Sequence, residues 1–130
     1  MPEITGIDHV ALTVIDLAAS ITFYEAVLGA SVMGTMDDGP FRRAVLALPG
    51  PTHLGLTQHD TGSGRPFDPT NPGLDHVGFA CASRHELLAW GEHLDALRVR
   101  HSDVQDAAYG SALSFSDPDG NALEFFAPAP

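Results

Sequence analysis

The stretch Gly73-Leu74-Asp75-His76-Val77-Gly78-Phe79 repeats, almost residue for residue, the stretch Gly6-Ile7-Asp8-His9-Val10-Ala11-Leu12 near the start of the chain. The offset is 76 − 9 = 67 residues, about half of 130. The same offset lays Arg43–Leu48 on Gly110–Phe115, and two points of register on one offset indicate an internal duplication. Each copy begins with a strand carrying a His near its start, runs into a helix with a capping signal, and continues in further strands. Modules this small cannot bury their own apolar faces alone, so the expectation is one domain of module 1–58, linker 59–72 and module 73–130.

The first strand spans Ile7 to Val14, with His9, Ala11 and Thr13 on one face and Val10, Leu12 and Val14 on the other. Asp16 is an N-cap for a helix over Leu17–Leu28 with a stripe of Leu17, Ile21, Tyr24 and Leu28, closed by Gly29. Strands follow near Ser31–Thr35, Phe41–Leu48 and His53–Gln58, with a turn at Asp37-Asp38-Gly39-Pro40. His59 to Pro72, rich in Pro and Gly, reads as the linker.

In the second module a strand spans Leu74–Cys81, and Ser83 with Glu86 forms a capping box for a helix to about Leu97. Its stripe is Leu87, Trp90 or Gly91, Leu94 and Leu97. Arg98–Val104 and Tyr109–Ser116 supply strands, Asp117-Pro118-Asp119-Gly120 is a turn, and Asn121–Phe126 is the last strand, with Glu124 sharing a face with Ala122 and Phe126.

Charge narrows the function. Seventeen acids against six bases give a net charge of −11, and all six bases are Arg. Such a surface repels nucleic acid and anionic membranes. The absence of Lys removes Schiff-base chemistry and a Walker-type phosphate loop. A net negative charge favours a cationic ligand. No apolar run approaches the roughly 18 residues of a membrane span, and the opening residues carry no pattern from which an export leader is expected. With Cys81 the lone cysteine, a cytoplasmic location is expected.

His9 and His76 occupy equivalent points of the two modules, each followed two residues on by a small residue that leaves room beside the imidazole. If equivalent strands bring those rings together, Glu124 completes a 2-His-1-carboxylate site for a divalent metal with open positions. The residues alone leave open that each His is a hydrogen-bonded sheet residue and Glu124 a solvated edge acid.

The chain resembles the vicinal oxygen chelate superfamily, which includes glyoxalase I, methylmalonyl-CoA epimerase, fosfomycin-resistance transferases, extradiol dioxygenases and bleomycin-resistance binding proteins. The resemblance is carried by Asp8-His9-Val10 with Asp16-Leu17, Phe23-Tyr24 and Leu28-Gly29, by Leu74-Asp75-His76-Val77, and by Phe115-Ser116-Asp117-Pro118-Asp119-Gly120-Asn121 leading into Leu123-Glu124. It implies an α+β fold, two βαβββ modules forming a curved mixed sheet around a cleft. By position it implies His9, His76 and Glu124 as ligands of one divalent ion (Fe, Mn, Ni, Zn or Co), with Glu124 also able to move a proton. A small-molecule substrate with vicinal oxygens and a homodimer follow from the same resemblance.

Departures from the family pattern matter too. The fourth ligand of glyoxalase I and the epimerase falls here on Gly55, with His53 two residues earlier on the same face as a substitute. Extradiol dioxygenases carry a Tyr where this chain has Ser114 and a His where it has Gln105 to Ala107, which counts against aromatic ring cleavage. Fosfomycin-type transferases grip an anionic substrate with bases that this chain mostly lacks. Tyr109 is a candidate proton donor, Phe67 a candidate lid residue, and Phe41 and Trp90 candidate lining residues. The leading expectation is a small metal-dependent glyoxalase-like enzyme. The alternatives are a non-catalytic protein of the bleomycin-resistance type that sequesters an antibiotic or other small molecule, and a dimeric domain with a vestigial site.

Overall fold

A computed structural model describes residues 1–37 and 39–130, so the Asp38 position of the expected turn lies outside the described residues. The chain divides into two compact units, Met1–Arg65 and Pro66–Pro130. Each repeats one topology. The first contains β1 (His9–Thr13), α1 (Leu17–Leu28), β2 (Ser31–Met36), β3 (Phe41–Ala47) and β4 (His53–His59) in a mixed sheet ordered β1-β4-β3-β2. The second contains β5 (Val77–Ala80), α2 (Arg84–Ala96), β6 (Gln105–Ala107), β7 (Gly110–Ser116) and β8 (Ala122–Pro128), ordered β5-β8-β7-β6. In both, the first strand pairs parallel with the last, and the remaining pairs are antiparallel. The architecture is therefore α+β, two βαβββ modules. No described helix is long and apolar enough to cross a membrane.

Both helices begin and end where their caps dictate. Asp16 accepts from Ala19 N at 3.0 Å, and Gly29 takes the left-handed conformation at φ 63°. Ser83 accepts from Glu86 N at 3.3 Å. The buried stripe of α1 is Ser20, Tyr24 and Val27, rotated from the expected one, so Leu17, Ile21 and Leu28 fall at its half-buried margins. Nearly every residue of this helix is apolar or small, which leaves the sequence pattern without a sharp direction. On α2 the third stripe position is Gly91, not Trp90, because a Cβ there would come within 3.3 Å of His101 and 3.4 Å of Leu113. Leu97 lies outside the core, 39% exposed.

In each unit one sheet face packs under its helix and strand alternation assigns the other. Leu46, Leu54 and Leu56 are buried with Tyr24 and Val27, each worth roughly 1.5–3 kcal/mol on removal from water. In the second unit Trp90 stacks on Phe125 at 4.2 Å, and Phe125 on Phe115 at 4.8 Å, joining α2, β8 and β7. With Leu123 and Phe125 fixed toward the helix, Ala122 and Glu124 must face the opposite side.

Four expectations change. Arg98–Val104 is not a strand: Arg98 adopts φ 57°, which turns the chain out of α2, and only His101 makes a ladder bridge, to Phe115. The strands expected at Tyr109–Ser116 and Asn121–Phe126 are present as β7 and β8, and the strand before them is β6, which lies beyond Val104. His76 stands one residue before β5, whereas His9 opens β1. The repeat offset also drifts. Ala11 pairs with Gly55 and Gly78 with Glu124, so the last strands correspond at 124 − 55 = 69, not 67. The two added residues preserve face parity. Of the expected linker, His59 extends β4, and Phe67 is bound to the second unit through its N–H to Asp119 O at 2.8 Å.

The edge strand β6 is tied to the start of α2 by a bidentate pair: Arg84 Nε and Nη2 donate to Asp106 at 2.8 and 3.0 Å, and Ser111 donates at 2.6 Å. The Arg84 pairing first, and the Ser111 hydroxyl second, hold the Asp106 carboxyl down to about 2. A depressed carboxylate contributes stability at pH above its ordinary value of 3.8 and loses it as pH falls toward about 2. Asp106→Asn is therefore expected to lower the urea midpoint near neutrality and to converge on the parent between pH 4 and 2. An undiminished gap at the acid end contradicts this origin.

Candidate functional site

The Asp-His pair appears in both units with the same geometry. His9 Nδ1 donates to Asp8 at 2.8 Å and His76 Nδ1 donates to Asp75 at 2.7 Å. A carboxylate on Nδ1 fixes the ring and the tautomer, leaving the Nε2 lone pair for a metal or a proton. Neither Nε2 has a hydrogen-bond partner among the described residues, and the side chains are 64% and 48% exposed. The hydrogen bond with His9 holds Asp8 below its ordinary range. The hydrogen bond to Asp75 raises His76 against an opposing burial effect, with Glu124 adding to the rise.

His76 and Glu124 are brought together by strand pairing, since Gly78 lies beside Glu124 in the parallel ladder. A Cβ at Gly78 would be 3.8 Å from Glu124 Oε1, an ordinary contact that sets the carboxylate directly beside this position. Glu124 makes no hydrogen bond among the described residues. Both line an open pocket of about 780 Å³ within the second unit, together with Asp75, Ser114 and Ser116. His101 also borders it, but both its ring nitrogens are engaged, with Ser102 O at 2.7 Å and Asp95 at 3.1 Å.

The pocket rim is a built turn. Asp117, buried, accepts from Asp119 N, Asn121 N and Asn121 Nδ2 at 2.8 to 2.9 Å, and Gly120 N donates to Asp117 O at 3.0 Å. Phe67, half-buried, hangs on this turn through Asp119. Tyr109 stands at the opposite end of β7 from the rim, 74% exposed and stacked on Phe126 at 6.1 Å.

In the first unit His9 and His53 are neighbours in the parallel ladder and share a face. Gly55, the counterpart of Glu124, is cramped: an added Cβ would lie 3.1 Å from the Ala11 Cβ. A ligating side chain at Gly55 would require Ala11 to give way. Phe41 packs with Arg43 over its ring at 4.6 Å, on the β3 strand. Within neither unit do three or more described His, Cys, Asp or Glu side chains gather as a metal cluster. His76 and Glu124 lie in the second unit and His9 in the first.

Two arginines were missed by the sequence reading. Arg98 and Arg100 border the same pocket as His76 and Glu124. Composition averaged over the whole chain hides such a local concentration.

Residues 6–125 match the family model of the glyoxalase/bleomycin resistance protein/dioxygenase superfamily, and the chain belongs to that superfamily. It is 30% identical over 130 residues to the catechol-2,3-dioxygenase of Bacillus subtilis strain 168, covering 98% of this chain and 43% of that protein. The chain thus spans less than half of that relative. It is 29% identical over 122 residues to a probable trivalent organoarsenical cleaving enzyme of the same organism, covering 91% of this chain and 77% of that protein. A glyoxylase/bleomycin resistance protein/dioxygenase domain from Frankia sp. EAN1pec has the same fold at a TM-score of 0.91, with 32% identity and coverage of 98% and 100%.

Proposed function

We propose that the chain is a small metal-dependent enzyme in which His9, His76 and Glu124 hold one divalent ion and a small substrate with vicinal oxygens binds beside them. The observation that carries this reading is the duplicated Asp-His pair, which leaves an Nε2 without a hydrogen bond in each unit among the described residues, with the unbonded Glu124 carboxylate lining the same pocket as His76. Two imidazoles and a carboxylate suit Fe, Mn, Co, Ni or Zn. A divalent ion held there would supply positive charge next to the substrate oxygens.

The chain's own residues do the rest. Asp8 and Asp75 keep Nε2 of each ring as an acceptor, Gly78 gives the substrate space beside Glu124, and Glu124 accepts or returns a proton at its carboxylate. The likeness to two enzymes supports turnover over sequestration, and Ser114 at the position of the dioxygenase Tyr speaks against ring cleavage. With Gly55 closed, three protein ligands leave positions open for substrate, and His53 beside His9 is the nearest group to take a proton or a substrate oxygen in the first unit. The partner we propose is a second copy of the chain, joined through the exposed edge strand β2, where Val32, Met33 and Met36 face solvent.

Glu124→Gln is the discriminating variant. With Mn(II) or Fe(II) present, the probes are catechol, fosfomycin, a trivalent organoarsenical and a hemithioacetal. At least one is expected to be converted, and the variant to lose about 100-fold or more in turnover with a much smaller change in binding. A probe that binds metal-free protein equally well and emerges unchanged makes the protein a sequestering one.

A further inference from the structure

Helix α2 ends in a Schellman motif: Val99 N donates to Leu94 O and Arg98 N to Asp95 O, both at 2.9 Å. The left-handed position of this motif is a glycine site, and α1 fills the corresponding place with Gly29. Here it is Arg98, at φ 57° the sole non-glycine residue with positive φ among those described. A strained cation where glycine would serve better for stability points to a use for its side chain.

Its surroundings indicate the use. The second unit holds ten carboxylates and three arginines, Arg84, Arg98 and Arg100. Arg84 is paired with Asp106, whereas neither Arg98 nor Arg100 has a carboxylate in ion-pair reach among the described residues. Both instead line the pocket of His76 and Glu124. Alternation at the edge of the sheet agrees: His101 turns toward Gly91 and the helix, opposite buried Phe115, which leaves Arg100 on the open face with Ser114 and Ser116. The three acids of the pocket do not cancel this pair. Asp75 is taken by His76 and Asp117 by its own turn, leaving Glu124 on β8, two strand intervals from the Arg100 line and outside ion-pair reach.

We infer that Arg98 and Arg100 form an anion subsite, and that the substrate is a small organic acid whose carboxylate or phosphonate rests on these guanidiniums while its other oxygens face His76 and Glu124. This substrate class rests on the function proposed above; the anion subsite itself does not. Three strand intervals separate the His76 line from the Arg100 line, roughly 14 Å between backbones, and side chains reaching inward from both ends narrow that to a small molecule. The local arrangement overrides the net charge of −11, which by itself favours a cationic ligand. Guanidinium binds carboxylate and phosphonate through the same paired donors.

The test uses inorganic phosphate and acetate as probes, titrated calorimetrically into the full chain at low salt, with Mn(II) titrated separately. Saturable binding of at least one anion is expected, tightest for the group the substrate carries. Arg100→Gln should weaken it about tenfold. Arg98→Gly should weaken it similarly while raising the melting temperature, a combination that a purely structural cap does not give. If both variants bind the anions as the parent does, the subsite is wrong. If the anions bind in an arginine-dependent way but Mn(II) does not bind, the subsite stands and the metal reading falls.

Discussion

His76→Ala is expected to weaken Mn(II) or Zn(II) binding by more than about 100-fold, since loss of an outer partner of a ligating His alone costs about 10–100-fold. The ring is oriented by Asp75 through Nδ1 and lines the pocket it shares with Glu124. Asp75→Asn, which removes the orienting carboxylate but not the ligand, is expected to cost about tenfold. The order of the two effects is diagnostic. If the Asp75 variant loses as much as the His76 variant, the pair acts in folding or in an ion pair; if neither loses anything, His76 is a surface residue. Because His76 is exposed, neither variant is expected to change the stability of the metal-free protein by more than about 0.5 kcal/mol.

The second large effect is in the scaffold. Gly110→Ala drives a Cβ into Ala127 O and places it 2.6 Å from the Phe126 ring, at φ 156° where a side chain is already strained. The carbonyl belongs to β8, so relief requires moving the strand that carries Glu124. Overpacking costs roughly 1–3 kcal/mol and an unsuitable φ about 1 more, so a loss of about 3 kcal/mol is expected in urea unfolding. Gly34→Ala is the control, because a Cβ there meets nothing within 4 Å. A Gly110 variant within about 0.5 kcal/mol of the parent would show that β8 yields freely at this end.

How far the sequence carried these conclusions depended on whether the signal was local. Caps are local chemistry, so Asp16, Gly29 and Ser83 set helix boundaries that the structure reproduces. Strand parity is local as well, and it assigned Glu124 to the face opposite Leu123 and Phe125 before any fold was known. The αL turn at Arg98 was not legible, because nothing in Leu97-Arg98-Val99 announces a glycine conformation, and a strand was expected where the chain turns. The drift of the repeat from 67 to 69 was invisible for a related reason: it arises between helix and strand, where no motif marks the register. Arg98 and Arg100 belong to the pocket through tertiary placement alone, and whole-chain charge pointed the other way. Gly55 was recognised as a gap in the ligand pattern, while the reason it stays a gap, the Ala11 Cβ 3.1 Å away, required coordinates.

The most direct test of the ligand assignment is native mass spectrometry of protein purified without an affinity tag and equilibrated with Mn(II). The expected species is a dimer with about one ion per chain, reduced to metal-free protein in His9→Ala, His76→Ala and Glu124→Ala alike. Metal-free parent protein, or variants that keep the ion, would contradict His9, His76 and Glu124 as its ligands.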